Sequence, residues 1–336
     1  MPHTINRIFI ENAGQFSDDV IIHWKPARGG AYEEMTWGAL ADAAFGFAAG
    51  LEDLGLAPGD RLAIIAFNRL EWIIADLGAL LAGGVDVPIY HTSTAEQCRY
   101  VLHDAGARFV VVEDAAQLEK VLSSADGLPA LERIILMDGP SPVEDPRVLT
   151  FEAVLAAGTA AGSSRRRAIT DSALAVRPEQ LATLVYTSGT TGPPKGCMVS
   201  HGNAGFVLAS IDQMHAIESR TNISLLVLPL SHFYPRVSGY YFNLYKNIPL
   251  AIGESIDTLA ADIQAIRPTY FCCVPRILEK VSARITGAAG QGGGAAPVHF
   301  QPGYRGRQGQ GHLPADRAAG AADPDVAVPA GQGPGL

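Results

Sequence analysis

The stretch LVYTSGTTGPPKGCMVS, residues 184–200, groups four serine and threonine side chains, two glycines and two prolines ahead of a single lysine. The overlapping residues LATLVY, 181–186, predict a strand, and a helix is predicted to begin soon after His201. A glycine-rich loop at the end of a strand exposes backbone N–H groups, and its hydroxyl groups and lysine add further donors. The stretch is therefore suited to binding a polyphosphate. The alternative is an ordinary solvated turn between a strand and a helix.

The spacing within this loop differs from two common phosphate-binding patterns. The pattern G-x-x-x-x-G-K-[ST] fails because the fifth residue after Gly189 is Pro194, and Lys195 is followed by Gly196. The dinucleotide pattern G-x-G-x-x-G does not occur in this stretch either. The loop is thus predicted to hold phosphate through a different arrangement of the same kinds of donor.

Upstream of the loop, the sequence alternates helical and strand-like segments. Thr36 can cap a helix whose Leu40, Ala44, Phe47 and Leu51 repeat at three- to four-residue spacing. The segments that follow are a strand in RLAIIAF (61–67), a helix near 71–81, a strand at 85–89, a helix near 95–103 and a strand in RFVVVED (108–114). Strands that are apolar on both faces are typical of a parallel sheet covered by helices on both sides.

A looser stretch, GTAAGSSRRRAITDSALAVRPEQ at 158–180, is predicted to be an exposed linker between two lobes. The same alternation resumes beyond it, with segments predicted as the helix 202–215, the strand 224–230, the helix 259–268 and the strand 269–275. The predicted fold class is therefore α/β, with two βαβ-type lobes whose mostly parallel sheets are flanked by helices.

The amino-acid composition of the chain changes after Ile285. Residues 286–336 are rich in Gly, Ala and Pro and contain no Ile, Lys or Glu. Because they show no periodic apolar face, this tail is predicted to be disordered. The predicted domains are thus 1–285, an α/β domain, and 286–336, a disordered tail.

The composition narrows the class of protein. The chain has 336 residues, of which 48% are hydrophobic, and a net charge of −9 without a block of like charges. That balance argues against nucleic-acid binding, which requires a basic face. Neither a secretory signal nor a membrane-spanning segment is predicted. The four cysteines lack CxxC spacing, so we expect reduced thiols in the cytoplasm and no zinc site.

The segment YTSGTTGPPKG, 186–196, resembles the phosphate-loop signature of the AMP-forming adenylating enzymes. Three further segments are similar to the long-chain fatty acyl-CoA synthetase branch of that superfamily: DVPIYHTSTAEQCRYVLHDAGARFVVVED (86–114), LPLSHFYPRVSGYYFNLY (228–245) and ESIDTLAADIQAIRPTYFCCVPRILEKVSARI (254–285). The likeness runs from about Thr36 to Ile285. It implies an incomplete N-terminal domain of the acyl-adenylate-forming fold.

The resemblance also implies a two-step ligation that uses ATP, Mg²⁺ and coenzyme A to activate a fatty acid. The residues it places around the β- and γ-phosphates are Thr187, Ser188, Gly189, Thr190, Thr191 and Gly192. Lys195 would contribute a positive charge to the pyrophosphate, and Thr187 would also reach the magnesium ion. Outside such a loop, Lys195 would be interpreted as an ordinary solvated lysine.

A second motif, PLSHFYPR at 229–236, contains His232. The resemblance places the ring of His232 between the adenylate and the acyl tunnel, where it would shape the carboxylate site. Without the resemblance, a capped or core-packed histidine is the commoner outcome. His232 is therefore the candidate catalytic residue, with that alternative left open.

Several elements of the family pattern are missing from this sequence. They are a YG-x-TE-like segment with a magnesium glutamate, an aspartate for the ribose hydroxyls, and a C-terminal lid domain with the adenylation lysine. The composition of the tail suggests a frameshift after about Thr286, and we expect the chain to be catalytically incomplete. A non-catalytic nucleotide- or acyl-binding fragment and a non-functional product are the alternatives. The sequence leaves open the acyl chain length, the oligomeric state and peripheral contact with a membrane.

Overall fold

The computed structural model describes residues 4–160, 162–187, 192–214, 217 and 221–279. The chain divides into the units Met1–Ser282 and Ala283–Leu336. The predicted tail, 286–336, lies outside the described residues. Its disorder and the boundary at Ile285 therefore stay predictions.

The strands of the described part are β1 Val20–Trp24, β2 Glu33–Thr36, β3 Arg61–Ile65, β4 Val85–Ile89, β5 Phe109–Val112, β6 Arg133–Leu136, β7 Val148–Thr150, β8 Leu181–Thr187, β9 Lys195–Ser200, β10 Ser224–Leu226 and β11 Leu250–Ile252. The helices are α1 Ile5–Gln15, α2 Trp37–Asp53, α3 Leu70–Leu81, α4 Ala95–Ala105, α5 Ala115–Leu122, α6 Phe151–Thr159, α7 Gly162–Leu174, α8 His201–Met214, α9 Phe233–Pro235, α10 Phe242–Lys246 and α11 Leu259–Ile266. A π-helix, Arg236–Tyr241, joins α9 to α10, and a short 3₁₀ turn spans Ala125–Gly127.

The larger sheet has seven strands in the order β7-β6-β5-β3-β4-β8-β9. Every neighbouring pair is parallel except β8 and β9, which are antiparallel. A second sheet has four strands in the order β10-β11-β1-β2, of which only β1 and β2 are antiparallel to each other. The prediction of an α/β fold with mostly parallel sheets is confirmed.

Helices cover both faces of the seven-stranded sheet because its central strands are apolar on both sides. In β3, Leu62 and Ile64 belong to the core cluster that includes α2 and α3. The alternate residues Ala63 and Ile65 belong to the cluster that includes α4 and α5. Successive side chains of a strand point to opposite faces, so the unbroken apolar run in β3 serves two cores at once.

The individual helices and strands predicted upstream of the loop are present in the structure. The hydroxyl of Thr36 accepts a hydrogen bond from the N–H of Ala39 and caps α2, as the sequence predicted. Helix α4 has a complete capping box between Thr94 and Gln97, and it ends at Gly106 with φ +60°. These local signals define both ends of α4 before any tertiary contact is considered.

The division into two consecutive lobes was wrong. Strands β1 and β2, which precede helix α2, join the second sheet, whereas β8 and β9 extend the first sheet. The register pairs Ile22 of β1 with Leu250 of β11, more than two hundred residues later. The two sheets are therefore interleaved along the chain.

The linker predicted at 158–180 was also wrong, because most of it forms α7. This helix buries Ile169 and Ala173 against the core. On its outer side, Arg165 pairs with Glu52 and Arg166 pairs with Asp42, both on α2. Two buried residues in thirteen give too weak an apolar period to be seen in the sequence.

Two further predictions need correction beyond this helix. The helix predicted after the glycine-threonine loop is present as α8, but the antiparallel strand β9, which was not predicted, lies between the loop and that helix. The segment predicted as a strand at 269–275 makes a single parallel bridge, between Ser224 and Tyr270. The loop thus lies at the end of a hairpin, and helix α8 begins only after the hairpin closes.

A buried ion pair ties the π-helix to the seven-stranded sheet. Arg236, the first residue of the π-helix, and Asp86 of β4 are both fully buried and contact each other through a guanidinium–carboxylate hydrogen bond. The same guanidinium donates to the hydroxyl of Thr183 on β8 at 2.8 Å, and it lies over the ring of Trp72. One side chain therefore joins two strands and a helix.

A second buried carboxyl group, Asp76 of α3, belongs to this network. Tyr241 donates its hydroxyl to Asp76, 3.0 Å from each carboxyl oxygen. Burial raises the pKa of Asp76 to about 8, and the nearby charge of Asp86 adds to the rise. At neutral pH Asp76 is thus largely protonated. Burial raises the pKa of Asp86 as well, but the charge of Arg236 and the hydrogen bond from Thr183 oppose that rise and favour its carboxylate form.

We expect Arg236→Met to lower the free energy of unfolding by about 3 kcal/mol or more, because it leaves Asp86 buried without its partner. The matched control is Arg166→Met, which breaks an ion pair whose side chains are 44% and 71% exposed. The control should change stability by less than about 1 kcal/mol. Urea denaturation of both variants is the measurement, and equal losses would contradict the role given to the buried pair.

Candidate active site

A cavity of about 430 Å³ opens where β4 and β8 end. Ligands of doubly wound α/β sheets bind in the crevice at the carboxyl ends of parallel strands. The polar and aromatic residues around this cavity include Tyr90, Thr92, Ser93, Thr187, His232 and Phe233. The two motifs singled out in the sequence therefore meet at one place.

Thr187 and Lys195 form the last residue pair of the hairpin before the glycine-threonine loop. They are the last residue of β8 and the first of β9, and the register pairs them directly. Directly opposed residues of an antiparallel pair project to the same face, so the hydroxyl and the ammonium group lie on one side of the hairpin. Both residues are exposed, and Pro194, which precedes Lys195, lines the cavity.

The remaining residues predicted for the phosphate loop divide into two groups. Gly192 has φ +92°, a conformation that favours glycine, so the predicted sharp turn is present there. Ser188, Gly189, Thr190 and Thr191 lie outside the described residues, and their phosphate-binding role stays a prediction.

His232 caps the short helix α9 and is exposed at the cavity. Its Nδ1 accepts a hydrogen bond from the N–H of Tyr234 at 3.2 Å. A ring nitrogen that accepts cannot carry the proton in the neutral form, so the proton lies on Nε2. The core-packed alternative is wrong for this residue, whereas the helix-capping alternative is present. The substrate-site role of His232 stays a prediction, and its Nε2–H can donate to a ligand.

The segment that carries His232 is held by Asn68, which sequence reasoning missed. Its Nδ2 donates to the carbonyl of Leu228 and its Oδ1 accepts from the N–H of Leu230, both at 2.8 Å. The amide thus pairs with the backbone on both sides of Pro229. A polar residue three positions after the end of strand β3 is a signal that could have indicated this role.

The opposite wall of the cavity is the loop that follows β4. Lys120 of α5 donates to the carbonyls of His91 and Ser93 and to the side chain of Gln117, all within 2.9 Å. Burial lowers the pKa of His91, and the charges of Lys120 and Arg28 lower it further. The lowered pKa favours the neutral form of His91, and the partly buried ammonium group of Lys120 holds the backbone of this loop.

The cavity suits an anion better than it suits a metal ion. Among the described residues, no Asp or Glu lines it, and the described part of the chain contains no group of three or more His, Cys, Asp or Glu placed to hold a metal. Mg²⁺ prefers carboxylate oxygens and water, and Thr187 offers a single hydroxyl. The described residues thus do not form a magnesium site of their own.

A second cavity of about 420 Å³ lies at the ends of β1, β3 and β5. Its charged residues include Lys25, Arg69, Glu113 and Glu254. Lys25 pairs with Glu254, while Arg69 pairs with Glu71 and lies near Glu113. Because these charges already satisfy one another, this cavity offers less to an anionic ligand than the one beside Thr187.

Two properties bear on the setting of the site. All four cysteines are free cysteines in the structure. Within the described ranges, no helix has the length and apolar character needed to cross a membrane.

The AMP-binding enzyme family model matches residues 9–306. This chain belongs to the AMP-binding enzyme family. The match continues past Ile285, beyond the segment in which the sequence showed the likeness. The recognition of an adenylating enzyme from the loop and the PLSHFYPR motif is confirmed.

Curated relatives within this family are long-chain-fatty-acid–CoA ligases. ACSBG2 of Xenopus laevis is 33% identical over 293 residues, which cover 84% of this chain and 39% of that protein. ACSBG1 of Homo sapiens is 30% identical over 299 residues, which cover 87% of this chain and 41% of that protein. The chain thus spans about two fifths of the length of these AMP-binding relatives.

Solved structures include chains of similar fold. The N-terminal domain of FACL13 from Mycobacterium tuberculosis has a TM-score of 0.69 at 22% identity, with 82% of this chain and 64% of that chain covered. The long-chain-fatty-acid-CoA ligase FadD1 from Archaeoglobus fulgidus has a TM-score of 0.71 at 17% identity, with 85% and 55% covered. At these identities the likeness shows the fold, which is that of the N-terminal domain of adenylate-forming enzymes.

We expect Asn68→Ala to release the segment that carries His232. The loss of two hydrogen bonds should cost about 1–3 kcal/mol of stability and weaken the contact between His232 Nδ1 and the Tyr234 N–H. Nitrogen-15 spectra of the histidine rings, with the His232 signals assigned from His232→Gln, would report that contact.

The matched control is Asn12→Ala, which removes a hydrogen bond of 2.6 Å to the carbonyl of Leu244, away from the cavity. It should also lower stability but leave the His232 signals unchanged. The positioning role of Asn68 fails if Asn68→Ala leaves those signals at their wild-type positions.

Proposed function

We propose that this chain supplies the phosphate- and carboxylate-binding part of an AMP-forming fatty acid–CoA ligase. The observation that carries the proposal is that Thr187 and His232, from two separate motifs, line one cavity at the carboxyl ends of β4 and β8. Membership of the AMP-binding enzyme family and the names of the curated relatives support it.

The proposed reaction has two steps. A carboxylate oxygen of the fatty acid attacks the α-phosphorus of ATP, and the bond from that phosphorus to the bridging oxygen breaks, which releases pyrophosphate. The thiol of coenzyme A then attacks the acyl carbon and loses its proton, and AMP leaves. Both steps move negative charge onto phosphate oxygens, so positioned donors contribute more than a protein nucleophile would.

The described residues have distinct roles in this proposal. Lys195 attracts the β- and γ-phosphates as a point charge, and the Thr187 hydroxyl donates to a phosphate oxygen. The Nε2–H of His232 donates to an oxygen of the acyl carboxylate and orients it. Mg²⁺ would be coordinated mainly by the phosphates, with Thr187 as one ligand of the protein. Ser188, Gly189, Thr190, Thr191 and Gly192 would complete the phosphate contacts through N–H and hydroxyl groups.

The substrate class of the proposal follows the relatives, whose names specify long-chain fatty acids. Phe233 and Tyr90 add apolar surface beside His232, which suits the first methylene groups of an acyl chain. Cytoplasmic localisation and peripheral contact with a membrane remain predictions of the same proposal.

A second candidate is a nucleotide-binding protein that does not turn over. It is favoured by the lack of an acidic side chain around the cavity in the described part of the chain, since a carboxylate would normally share the magnesium ion. Calorimetry with MgATP and an ATP–pyrophosphate exchange assay separate the two candidates. Binding with exchange supports the ligase, whereas binding without exchange supports the second candidate.

We expect Lys195→Ala to weaken the binding of MgATP by about 1–3 kcal/mol, the range of a lost hydrogen bond to a charged group. Lys195 is exposed, so the melting temperature should stay nearly constant. Calorimetric titration at fixed ionic strength is the measurement, because phosphate contacts depend on salt.

Lys246→Ala is the control, since Lys246 pairs with Asp212 and lies outside the cavity. It should leave the affinity for MgATP unchanged. An unchanged affinity in Lys195→Ala, or an equal loss in both variants, would count against the phosphate contact.

A further inference from the structure

One face of helix α4 holds both stems of the hairpin that carries Thr187 and Lys195. Tyr100 donates its hydroxyl to the carbonyl of Pro194 at 2.9 Å, on the stem that enters β9. Asp104, four residues along the same helix, accepts from the hydroxyl of Tyr186 at 2.6 Å, on the stem that ends β8. Residues four apart lie on one helix face, so a single turn of α4 contacts both stems.

The hairpin needs such a contact because β9 is an edge strand. Its hydrogen-bonded neighbour in the sheet is β8 alone among the described residues. Backbone pairing with β8 sets the distance between the two strands of the hairpin. It does not fix the position of β9 relative to the cavity wall. The bond from Tyr100 to Pro194 supplies that constraint directly next to Lys195.

Helix α4 is a rigid support for this contact. Its N-terminus has a full capping box and its C-terminus ends at a glycine in the left-handed region. Cys98, Val101 and Leu102 are buried on its inner face. The rings of Tyr100 and Tyr186 also pack edge to face, with centroids 6.4 Å apart.

We propose that Tyr100 is a positioning residue, whose hydroxyl fixes Pro194 and therefore Lys195 at the mouth of the cavity. This proposal rests on the function proposed above, because that function assigns Lys195 a contact with the phosphates of ATP. A charged group contributes fully only when it is held close to its productive position. Tyr100 meets this need without touching the ligand.

The test is Tyr100→Phe, which removes one oxygen and keeps the ring. Trypsin cleaves after Lys195 only when the hairpin stem opens, and the cleavage rate then follows the population of the open form. Mass spectrometry of the fragments gives separate rates for cleavage after Lys195 and after Arg28, which is 79% exposed and distant in sequence. Loss of one hydrogen bond should raise the rate at Lys195 about fivefold and leave the rate at Arg28 unchanged.

The control is Tyr32→Phe, which removes a half-buried hydroxyl that donates to Asp262 at 2.9 Å. It should leave cleavage after Lys195 at the wild-type rate. A wild-type rate at Lys195 in Tyr100→Phe, or an equal rise in Tyr32→Phe, would overturn the proposal.

Titration with MgATP separates this proposal from the proposed function. If the wild-type chain binds MgATP, Tyr100→Phe should weaken binding about fivefold, and equal affinity would overturn the positioning role. If the wild-type chain does not bind MgATP, the proposed function fails, and the cleavage rates alone decide whether Tyr100 fixes the stem.

Discussion

The buried pair of Arg236 and Asp86 is the interaction on which the position of the site depends. A guanidinium group loses its hydration when it is buried, and a carboxylate held against it offsets much of that loss. Arg236 follows His232 by four residues, while Asp86 and Thr183 lie in the two strands whose ends form the cavity. The electrostatic requirement of one buried cation therefore brings the His232 motif next to the hairpin.

The protonation of Asp76 makes this arrangement tolerable. Two carboxylates and one guanidinium in the same core would leave a net negative charge without solvent. Because burial and the charge of Asp86 raise the pKa of Asp76 to about 8, that carboxyl group stays neutral at ordinary pH. The π-helix between Arg236 and Tyr241 places both residues on the inner side, where each reaches a different carboxyl group.

The sequence predicted the fold where a segment carries its own signal. The capped helix α2 and the apolar strand β3 could be identified from fewer than twenty residues each. Helix α7 could not, because it buries Ile169 and Ala173 and otherwise presents arginines that pair with α2. Strand β9 was missed for a related reason, since an edge strand with exposed Cys197 and Met198 shows no alternating pattern.

The residues of the candidate site also divide into those that the sequence identified and those that it missed. Thr187 and His232 belong to motifs that resemble a known family, so the sequence was enough to find them. The residues that hold those motifs in place have partners far along the chain: Asn68 is separated by 160 residues from Leu228, and Tyr100 by 94 residues from Pro194. Nothing in a local pattern indicates such a contact. Only the packing of the two sheets and their helices shows it.

The most direct test of this account is a crystal structure of the chain with a fatty acid and an ATP analogue that has a methylene group between its α- and β-phosphates. The account predicts the β- and γ-phosphates within hydrogen-bonding distance of Thr187 and Lys195, and the carboxylate of the fatty acid against His232. Binding of the nucleotide in the other cavity, beside Lys25 and Glu113, would contradict it.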